Sequence, residues 1–285
     1  MIQDIRPYKL DNHFDPMIRP DENSLVLVFN GKEMLIKLDT DAKTLQYPAV
    51  SEFMSIDKDS LIYLFCFEDE KFFLLQDDSF SISPDYSFHG IHELRSDYFD
   101  PKRYVFAANT AYQLSEWYTV TSFCGRCGSR NEYHSSERAR ICPKCGNIIY
   151  PRINPAVIIG VTDKATNRLV LTKYRTGFAH NALVAGFTEI GETLEETVER
   201  EVMEEVGLKV TNIRYYKSQP WGIASDILAG FYCDVVGNPA IKMDVSELKY
   251  AQWVSPDDII LQPIDYSLTN EMMRLFKEHG YEGTL

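Results

Sequence analysis

The chain has 285 residues, of which 45% are hydrophobic and 25% are charged, and its formal net charge is −13 at pH 7. This composition is typical of a folded protein that is long enough for two domains with separate cores. It excludes a membrane-spanning helix, which needs roughly 20 apolar residues in a row, and the lack of a lysine or arginine cluster argues against binding long tracts of nucleic acid.

Residues 1–118 are predicted to form a β-rich domain that ends in a linking helix. The N-terminus lacks the apolar core of a signal peptide, so we expect a cytoplasmic protein with no membrane partner. Two hairpins are predicted, one around Asn30 and Gly31 and one between residues 61 and 75. From about residue 101 the apolar period becomes helical. We find no catalytic pattern in this part of the sequence.

Residues 119–150 contain two Cys-x-x-Cys-Gly sequences with 14 residues between them. Glycine permits the tight turn that aims both thiolates at one point, and four thiolates suit tetrahedral Zn²⁺. A cytoplasmic setting argues against disulfides, and a redox site needs only one Cys-x-x-Cys. We therefore predict a zinc ribbon with one structural Zn²⁺ per chain. Its ligands are Cys124, Cys127, Cys142 and Cys145.

Residues 151–285 are predicted to form an α/β/α sandwich, which makes the whole chain an α+β protein. Thr193 and Glu196 have the spacing of a capping box that starts a helix, and Gly207 is placed to end it. Gly186 is expected in the loop before this helix. A closing helix is expected at residues 268–278. The strands are expected at residues 156–162, 168–173, 213–219, 227–236 and 248–254.

Three acids on the first of these helices are unfavourably placed for stability. Glu201, Glu204 and Glu205 share one face, where like charges repel, and they lie toward the C-terminus, where the helix dipole disfavours anions. A hard divalent cation with oxygen ligands would reverse the sign of both effects. The alternative is a solvated acidic face, which accounts for three glutamates taken alone.

The wider pattern resembles the complete Nudix box, with no departure at a defining position. It runs Gly186, five residues, Glu192, seven residues, Arg200-Glu201-Val202, one residue, Glu204-Glu205, one residue, Gly207-Leu208. The resemblance implies a hydrolase that cleaves a nucleoside diphosphate linked to another group, with Mg²⁺ or Mn²⁺ on the glutamates. We expect Arg200 to pair with and orient one of these acids rather than to contact phosphate.

The order of motifs is similar to that of the NADH pyrophosphatase (NAD diphosphatase) branch of the Nudix enzymes. A zinc ribbon is followed by Tyr-Pro-Arg-x-x-Pro at residues 150–155, the box, and Ser-Gln-Pro-Trp at residues 218–221. The resemblance covers about residues 100–285. It implies cleavage of NADH or NAD⁺ into nicotinamide mononucleotide and AMP, removal of NAD caps from RNA 5′ ends, and a homodimer.

The resemblance also implies roles for particular residues in catalysis and metal binding. Glu201, Glu205 and Glu247 match the metal-binding carboxylates, and the carbonyl group of Ala185 matches a backbone ligand. Glu204 matches the remaining box acid, which binds metal or helps to activate water. Which acid is the general base stays open among the box glutamates and a nearby loop acid.

Eight positions match substrate contacts in the branch or stand in place of them. Two of them, Tyr150 and Phe187, match aromatic positions, where stacking on a base or nicotinamide is worth roughly 1–3 kcal/mol per ring. Core packing is the alternative role for both. The eight positions are Tyr150, Phe187, Glu137, Gln219, Pro220, Trp221, Asp226 and Thr269.

The loop after Trp221 departs from the branch motif, which continues Pro-Phe-Pro-x-Ser. This chain has Gly-Ile-Ala-Ser-Asp at residues 222–226, and Thr269 replaces an alanine. Asp226 would repel a substrate phosphate unless a metal or water intervened. Three hypotheses follow. The first is hydrolysis of NAD(H), and the second is the same chemistry on ADP-ribose, on another dinucleotide or on an RNA cap. The third is a non-catalytic nucleotide sensor or zinc-ribbon interaction protein, which the intact box disfavours.

Overall fold

The computed structural model describes residues 1–77, 79–176 and 180–285. These residues form two compact units. The first comprises Met1, Ile153–Trp221 and Asp226–Leu285, and the second comprises Ile2–Arg152 and Gly222–Ser225. The division into three domains at residues 118 and 150 stays a prediction. In the described residues no helix combines the length and apolar character needed to cross a bilayer.

The second unit consists of short strands and one long helix. Its largest sheet has the strand order β1-β6-β7-β2-β3-β4, with β9 also paired to β3, while β10-β11-β12 and β5-β8 form two small sheets. The strands are β1 Leu10–Asp11, β2 Leu25–Asn30, β3 Glu33–Asp39, β4 Thr44–Gln46, β5 Phe53–Ser55, β6 Ile62–Phe67, β7 Glu70–Leu75, β8 Ser81–Ile82, β9 Ser87–Gly90, β10 Glu132–Tyr133, β11 Arg140–Ile141 and β12 Ile148–Ile149. The helix is α1, Lys102–Val120.

Both predicted hairpins are confirmed, as β2–β3 and β6–β7. The first turn is displaced by one residue from the expected position. Asn30 ends β2 and pairs with Glu33, so the two-residue turn consists of Gly31 and Lys32.

Helix α1 confirms the helical pattern predicted from residue 101. Its apolar face packs on the large sheet through aromatic pairs, since the rings of Phe106 and Phe67 lie 6.3 Å apart and those of Tyr112 and Phe29 lie 5.9 Å apart. The helix therefore closes the core of the sheet.

The first unit contains one six-stranded sheet and two helices. The sheet has the order β16-β17-β13-β14-β18, and β15 pairs with β13. Strands β13 and β17 are parallel, and their other neighbours are antiparallel. The elements are β13 Asn154–Asp163, β14 Arg168–Tyr174, β15 Val184–Phe187, α2 Leu194–Val206, β16 Lys209–Trp221, β17 Asp226–Val236, β18 Leu248–Val254 and α3 Leu268–His279.

Alternate residues of β13 face the two helices. Val157 and Ile159 pack with Val202 of α2 in one core, whereas Ile158 packs with Phe276 of α3 in another. Because successive side chains of a strand point to opposite faces, the sheet lies between α2 and α3. The predicted α/β/α sandwich is confirmed.

The expectation of a loop at Gly186 is wrong. Gly186 lies in β15, and Ala185 pairs with Ile158 of β13. Glycine is depleted in strands, so the local sequence did not favour a strand here. The pairing fixes the backbone immediately before the box loop.

Candidate metal and active site

Helix α2 is held at its predicted bounds by its own caps. The backbone amide of Glu196 donates to Oγ1 of Thr193 at 3.1 Å, and the Thr193 amide donates to Oε2 of Glu196 at 2.7 Å. Gly207, in the left-handed region with φ +66°, ends the helix. Val198, Val202 and Val206 are fully buried. These contacts fix the rotation of the helix and hence the direction of its acids.

Arg200 is the cation at the centre of the acidic face. Its Nε and Nη2 donate to the two carboxylate oxygens of Glu192 at 2.6 and 3.0 Å. Its Nη1 donates to Glu201 at 2.7 Å and to Glu204 at 3.0 Å, and Nη2 also donates to the carbonyl oxygen of Phe187 at 2.9 Å. The five N–H groups of a guanidinium are thus all used. Arg200 pairs with the acids, as expected, and has no donor left for a phosphate.

The ion pair with Arg200 fixes Glu192 in its charged form. The bidentate hydrogen bonds from Arg200, with a further bond from the Glu189 backbone amide, lower the pKa of Glu192 to about 2. Thr197 also donates to Glu192 at 3.1 Å. Glu192 therefore serves to anchor the box arginine and is saturated with donors.

Glu205 has the opposite environment. It is only 3% exposed, and its Oε2 is buried with no hydrogen-bond partner in the described part of the chain. Burial, followed by repulsion from Glu201 and Glu247, raises the pKa of Glu205 to about 8, although the backbone amide of Ala185 donates to this carboxylate. A buried carboxylate without a cation is unfavourable, so the site is suited to one.

The absence of a side chain at Gly186 leaves room for Glu201. A Cβ atom at this position would lie 2.0 Å from Cδ and from Oε1 of the Glu201 carboxylate. Burial raises the pKa of Glu201, and repulsion from Glu204 and Glu247 adds to this against the opposing effect of Arg200. Any side chain at this position would displace the Glu201 carboxylate, so the glycine of the box permits its close approach to the β15 backbone.

Glu247, just before β18, is brought to the same site from a distant part of the sequence. The charge of Glu247 raises the pKa of Glu201 and of Glu205. The pKa of Tyr174 is also raised, first by its own burial and then by the negative charges of the three acids. The sequence did not single out Tyr174, because nothing distinguishes it from any aromatic residue at a strand end. Its hydroxyl stays protonated and lies among the acids.

These residues fit a divalent cation. The unpartnered Oε2 of Glu205 and the space that Gly186 leaves for Glu201 are both features of an oxygen-ligand site. In the described residues, the carboxylate oxygens of Glu201, Glu205 and Glu247 do not all come within 4.8 Å of one another. They are therefore farther apart than the sulfur atoms of the four predicted zinc ligands.

The four predicted zinc ligands converge in the second unit. Their Sγ atoms all lie within 4.8 Å of one another. The Cys124–Cys145 sulfur distance is 3.7 Å and the Cys127–Cys142 distance is 3.4 Å. Four sulfurs at about 2.3 Å from one tetrahedral Zn²⁺ would be separated by about 3.8 Å. The geometry therefore fits one closed structural zinc site, and none of the six cysteines is in a disulfide.

The two Cys-x-x-Cys turns have the same backbone geometry. Gly128 donates its amide to the Cys124 carbonyl at 2.8 Å, and Gly146 donates to the Cys142 carbonyl at 2.9 Å. Both glycines have positive φ, at +72° and +68°. A residue with a Cβ would be strained there, which confirms the role predicted for glycine after each cysteine pair.

The two aromatic residues predicted to contact substrate are not core residues. Tyr150 in the second unit is 55% exposed and Phe187 in the first unit is 53% exposed. This excludes core packing, the alternative role considered for both. The hydroxyl of Tyr150 donates to Oε2 of Glu137 at 3.0 Å, so these two predicted contact residues are neighbours within the second unit.

Gln219 has a structural role in the first unit. It is fully buried, its Nε2 donates to the carbonyl of Tyr266 at 2.7 Å, and its Oε1 accepts from the amide of Leu268 at 2.7 Å. It thus ties β16 to the start of α3, where Thr269 is half-buried. A direct substrate contact by Gln219 stays an untested prediction, and the observed contacts indicate a positioning role.

The remaining predicted positions of this segment differ in exposure. Pro220 is exposed, whereas Trp221 packs against the core on the α3 side of the sheet. Asp226 is buried, and its Oδ1 accepts from Nδ2 of Asn154 at 3.4 Å. The acid that replaces the motif serine therefore has a partner within the fold.

The altered loop has a steric explanation at its first position. A Cβ atom on Gly222 would lie 2.0 Å from the carbonyl oxygen of Asn109, within the second unit. Backbone atoms of a helix cannot give way by this amount. The proline of the branch motif is therefore incompatible with the observed path of the loop.

Comparisons with known proteins agree with this geometry. A model of the NUDIX domain matches residues 152–276, and a model of the NADH pyrophosphatase zinc ribbon domain matches residues 121–150. The chain is similar to the NAD-capped RNA hydrolase NudC of Vibrio vulnificus, with 37% identity over 170 residues, which are 59% of this chain and 64% of that protein. It is also similar to NudC of Klebsiella pneumoniae subsp. pneumoniae, with 39% identity over 157 residues, 55% of this chain and 60% of that protein.

The match thus spans less than two thirds of the length of these relatives. Among solved structures, a NUDIX hydrolase from Nitrosomonas europaea aligns with a TM-score of 0.49 and 22% identity, covering 57% of this chain and 94% of that one.

We expect the Cys142→Ser variant to lose its zinc and the fold of residues 119–150, because a structural zinc site contributes folding energy directly. The measurement is zinc per chain by elemental analysis, together with limited proteolysis of the ribbon. Cys66→Ser is the matched control, since Cys66 lies outside the cluster. Retention of one zinc by the Cys142 variant would contradict the assignment.

Proposed function

Since the chain carries a Nudix domain preceded by an NADH pyrophosphatase zinc ribbon, we propose that it hydrolyses the pyrophosphate bond of NAD(H) to give nicotinamide mononucleotide and AMP, and that it removes NAD caps from RNA 5′ ends. The observation that carries the proposal is the buried carboxylate of Glu205, whose Oε2 has no partner in the described residues, beside Glu201 and Glu247. The curated relatives named above bear the name NAD-capped RNA hydrolase, which supports the choice of substrate.

The residues that would hold Mg²⁺ or Mn²⁺ are Glu201, Glu205 and Glu247, with the carbonyl of Ala185. Bound divalent cations would neutralise the pyrophosphate charge and orient the attacking water. Arg200 holds Glu201 in place and binds one oxygen of Glu204. Glu204 is 60% exposed, so its other oxygen is accessible to accept a proton from water, and we infer that the proton acceptor lies among these box acids.

The other hypotheses receive less support. The names of the relatives favour an NAD-type substrate over ADP-ribose, and the altered loop at residues 222–226 is explained in part by packing inside the fold. A sensor without catalysis has no need of a buried carboxylate oxygen that is left without a partner, as Oε2 of Glu205 is in the described residues. We therefore propose catalysis on NAD(H) as the function.

The proposal extends to location and assembly. Four cysteines that would bind zinc as thiolates and two further cysteines outside any disulfide suit a reducing compartment, which supports the cytoplasm. A homodimer is inferred from the resemblance to the NADH pyrophosphatase branch. Substrate contacts by Tyr150, Phe187 and Glu137 belong to the same proposal, since all three side chains are exposed.

We expect Glu205→Gln to lower kcat on NADH by roughly 10²- to 10⁴-fold, the range for loss of an essential catalytic group. Folding and zinc content should be unchanged, because the substitution conserves shape and removes a group whose ionisation in this buried site is unfavourable. Glu199→Gln is the matched control on an exposed position of the same helix. An unchanged rate for the Glu205 variant would overturn the assignment of the site.

Gly186→Ala should lower kcat by about 10²-fold, because the added methyl group forces Glu201 away from its position and a 1 Å misplacement has an effect of this size. Gly125→Ala is the control, since no atom lies within 4 Å of a Cβ there. Steady-state rates and melting temperatures of the two variants provide the comparison. Equal activity in both would show that the Glu201 position is not needed.

We expect kcat/KM for NADH, NAD⁺ and NAD-capped RNA to exceed that for ADP-ribose by about 5- to 150-fold. ADP-ribose lacks the nicotinamide ring, and one stacked ring is worth roughly 1–3 kcal/mol. Phe187→Leu, which keeps an apolar side chain and removes the ring, should reduce this preference. A higher value for ADP-ribose would instead establish the alternative substrate.

A further inference from the structure

A cavity of about 510 Å³, with both polar and apolar surface, lies in the second unit beside the three-stranded sheet of the ribbon. We call it the ribbon cavity. Its lining includes two arginines, one asparagine, two hydroxyl side chains at the end of α1 and one acid. These residues are Arg130, Arg140, Asn131, Thr119, Ser122 and Glu132.

Arg140 is the unusual member of this lining. It lies in the middle strand β11, opposite Tyr133 of β10, and its guanidinium is 4.2 Å from the centre of the Tyr133 ring. Only 5% of Arg140 is exposed, and its Nε is buried with no hydrogen-bond partner in the described residues. No described carboxylate forms an ion pair with it. An arginine is always charged, so a buried guanidinium with an unused Nε donor and no ion-pair partner is unfavourable.

A second unpartnered group lies on the same cavity. Asn131 is 3% exposed, and its Nδ2 donates to the carbonyl of Thr121 at 2.9 Å, but its Oδ1 is buried with no partner among the described residues. Arg130 adds an exposed positive charge to the lining, and Glu132 supplies one exposed negative charge. The lining residues thus carry a net positive charge, one buried donor atom without an acceptor and one buried acceptor atom without a donor, in a chain whose net charge is −13.

A phosphate group matches these requirements. Its oxygens accept from guanidinium groups, which bind phosphate in a planar, often bidentate manner. A protonated phosphate oxygen, present on a phosphomonoester or inorganic phosphate near neutral pH, is also a donor for Oδ1 of Asn131. Water alone would satisfy the asparagine but would leave the charge of Arg140 without a counterion.

We propose that the ribbon cavity is a phosphate-binding site formed by Arg140, Arg130 and Asn131. It is separate from the zinc ligands, which form a closed site, and it uses none of the box acids. Three sources carry the same chemistry: inorganic phosphate, a nucleoside monophosphate, and the terminal 5′-phosphate of an RNA molecule.

The test uses the full-length, zinc-loaded chain without added Mg²⁺ or Mn²⁺, so that no hydrolysis is required. Isothermal titration with inorganic phosphate, AMP and a short 5′-phosphorylated RNA is compared with sodium chloride at equal ionic strength. We expect saturable binding of at least one phosphate compound. Arg140→Met should weaken it by about tenfold or more, the effect of losing a charge-assisted hydrogen bond, and Arg130→Gln should also weaken it.

Arg126→Gln is the matched control, an exposed ribbon arginine that does not line the cavity. Zinc content verifies the fold of each variant, and if Arg140→Met does not fold, the Arg130→Gln result decides. The phosphate compound that binds most tightly identifies the source.

Two results would overturn the proposal: no saturable binding beyond that of sodium chloride, or wild-type affinity in both cavity variants. Glu205→Gln should bind phosphate normally while losing hydrolysis, so a failure of this site and a failure of the proposed function are distinguishable.

Discussion

Repulsion between carboxylates is the constraint on which the first unit depends. Glu201 and Glu205 of α2 come together with Glu247, which lies just before the distant strand β18, and the pKa of Glu205 rises to about 8 as a result of burial and of its acidic neighbours. Such an arrangement needs a rigid support. The capping box at Thr193 contributes about 0.5–2 kcal/mol, and each buried valine of α2 contributes roughly 1.5–3 kcal/mol. The cap and the buried valines therefore stabilise α2 against the repulsion between the carboxylates on its acidic face.

The elements predicted most closely from the sequence are those with local causes. The bounds of α2 follow from Thr193, Glu196 and Gly207, whose effects act within one turn of helix, and the zinc site follows from two short cysteine pairs. Strand β15 was missed because it exists through pairing of Ala185 with Ile158, which are 27 positions apart in the sequence. The role of Gly186 was missed for the same reason, since only folding brings the Glu201 carboxylate close to the backbone of Gly186.

The segment after β16 shows a different limit of sequence comparison. Gln219, Asp226 and Gly222 were considered as parts of a substrate loop because of their place in a motif. In the structure Gln219 joins β16 to α3, and Asp226 is paired with Asn154. Gly222 is required by the carbonyl of Asn109. A change in the motif at these positions thus reflects packing as well as recognition, and a motif alone does not separate the two.

Two arginines show how the chain distributes positive charge. Arg200 uses all five of its donors on protein oxygens, so it cannot also neutralise a pyrophosphate, and the acids around it are suited to divalent cations that supply that charge. Arg140 is nearly as buried as Glu205, yet in the described residues it has no acceptor for its Nε. Burying a charged group without a partner is unfavourable in free energy, whether the charge is positive or negative. The same physical argument therefore assigns a cation to the acids of the first unit and an anion to the ribbon cavity of the second.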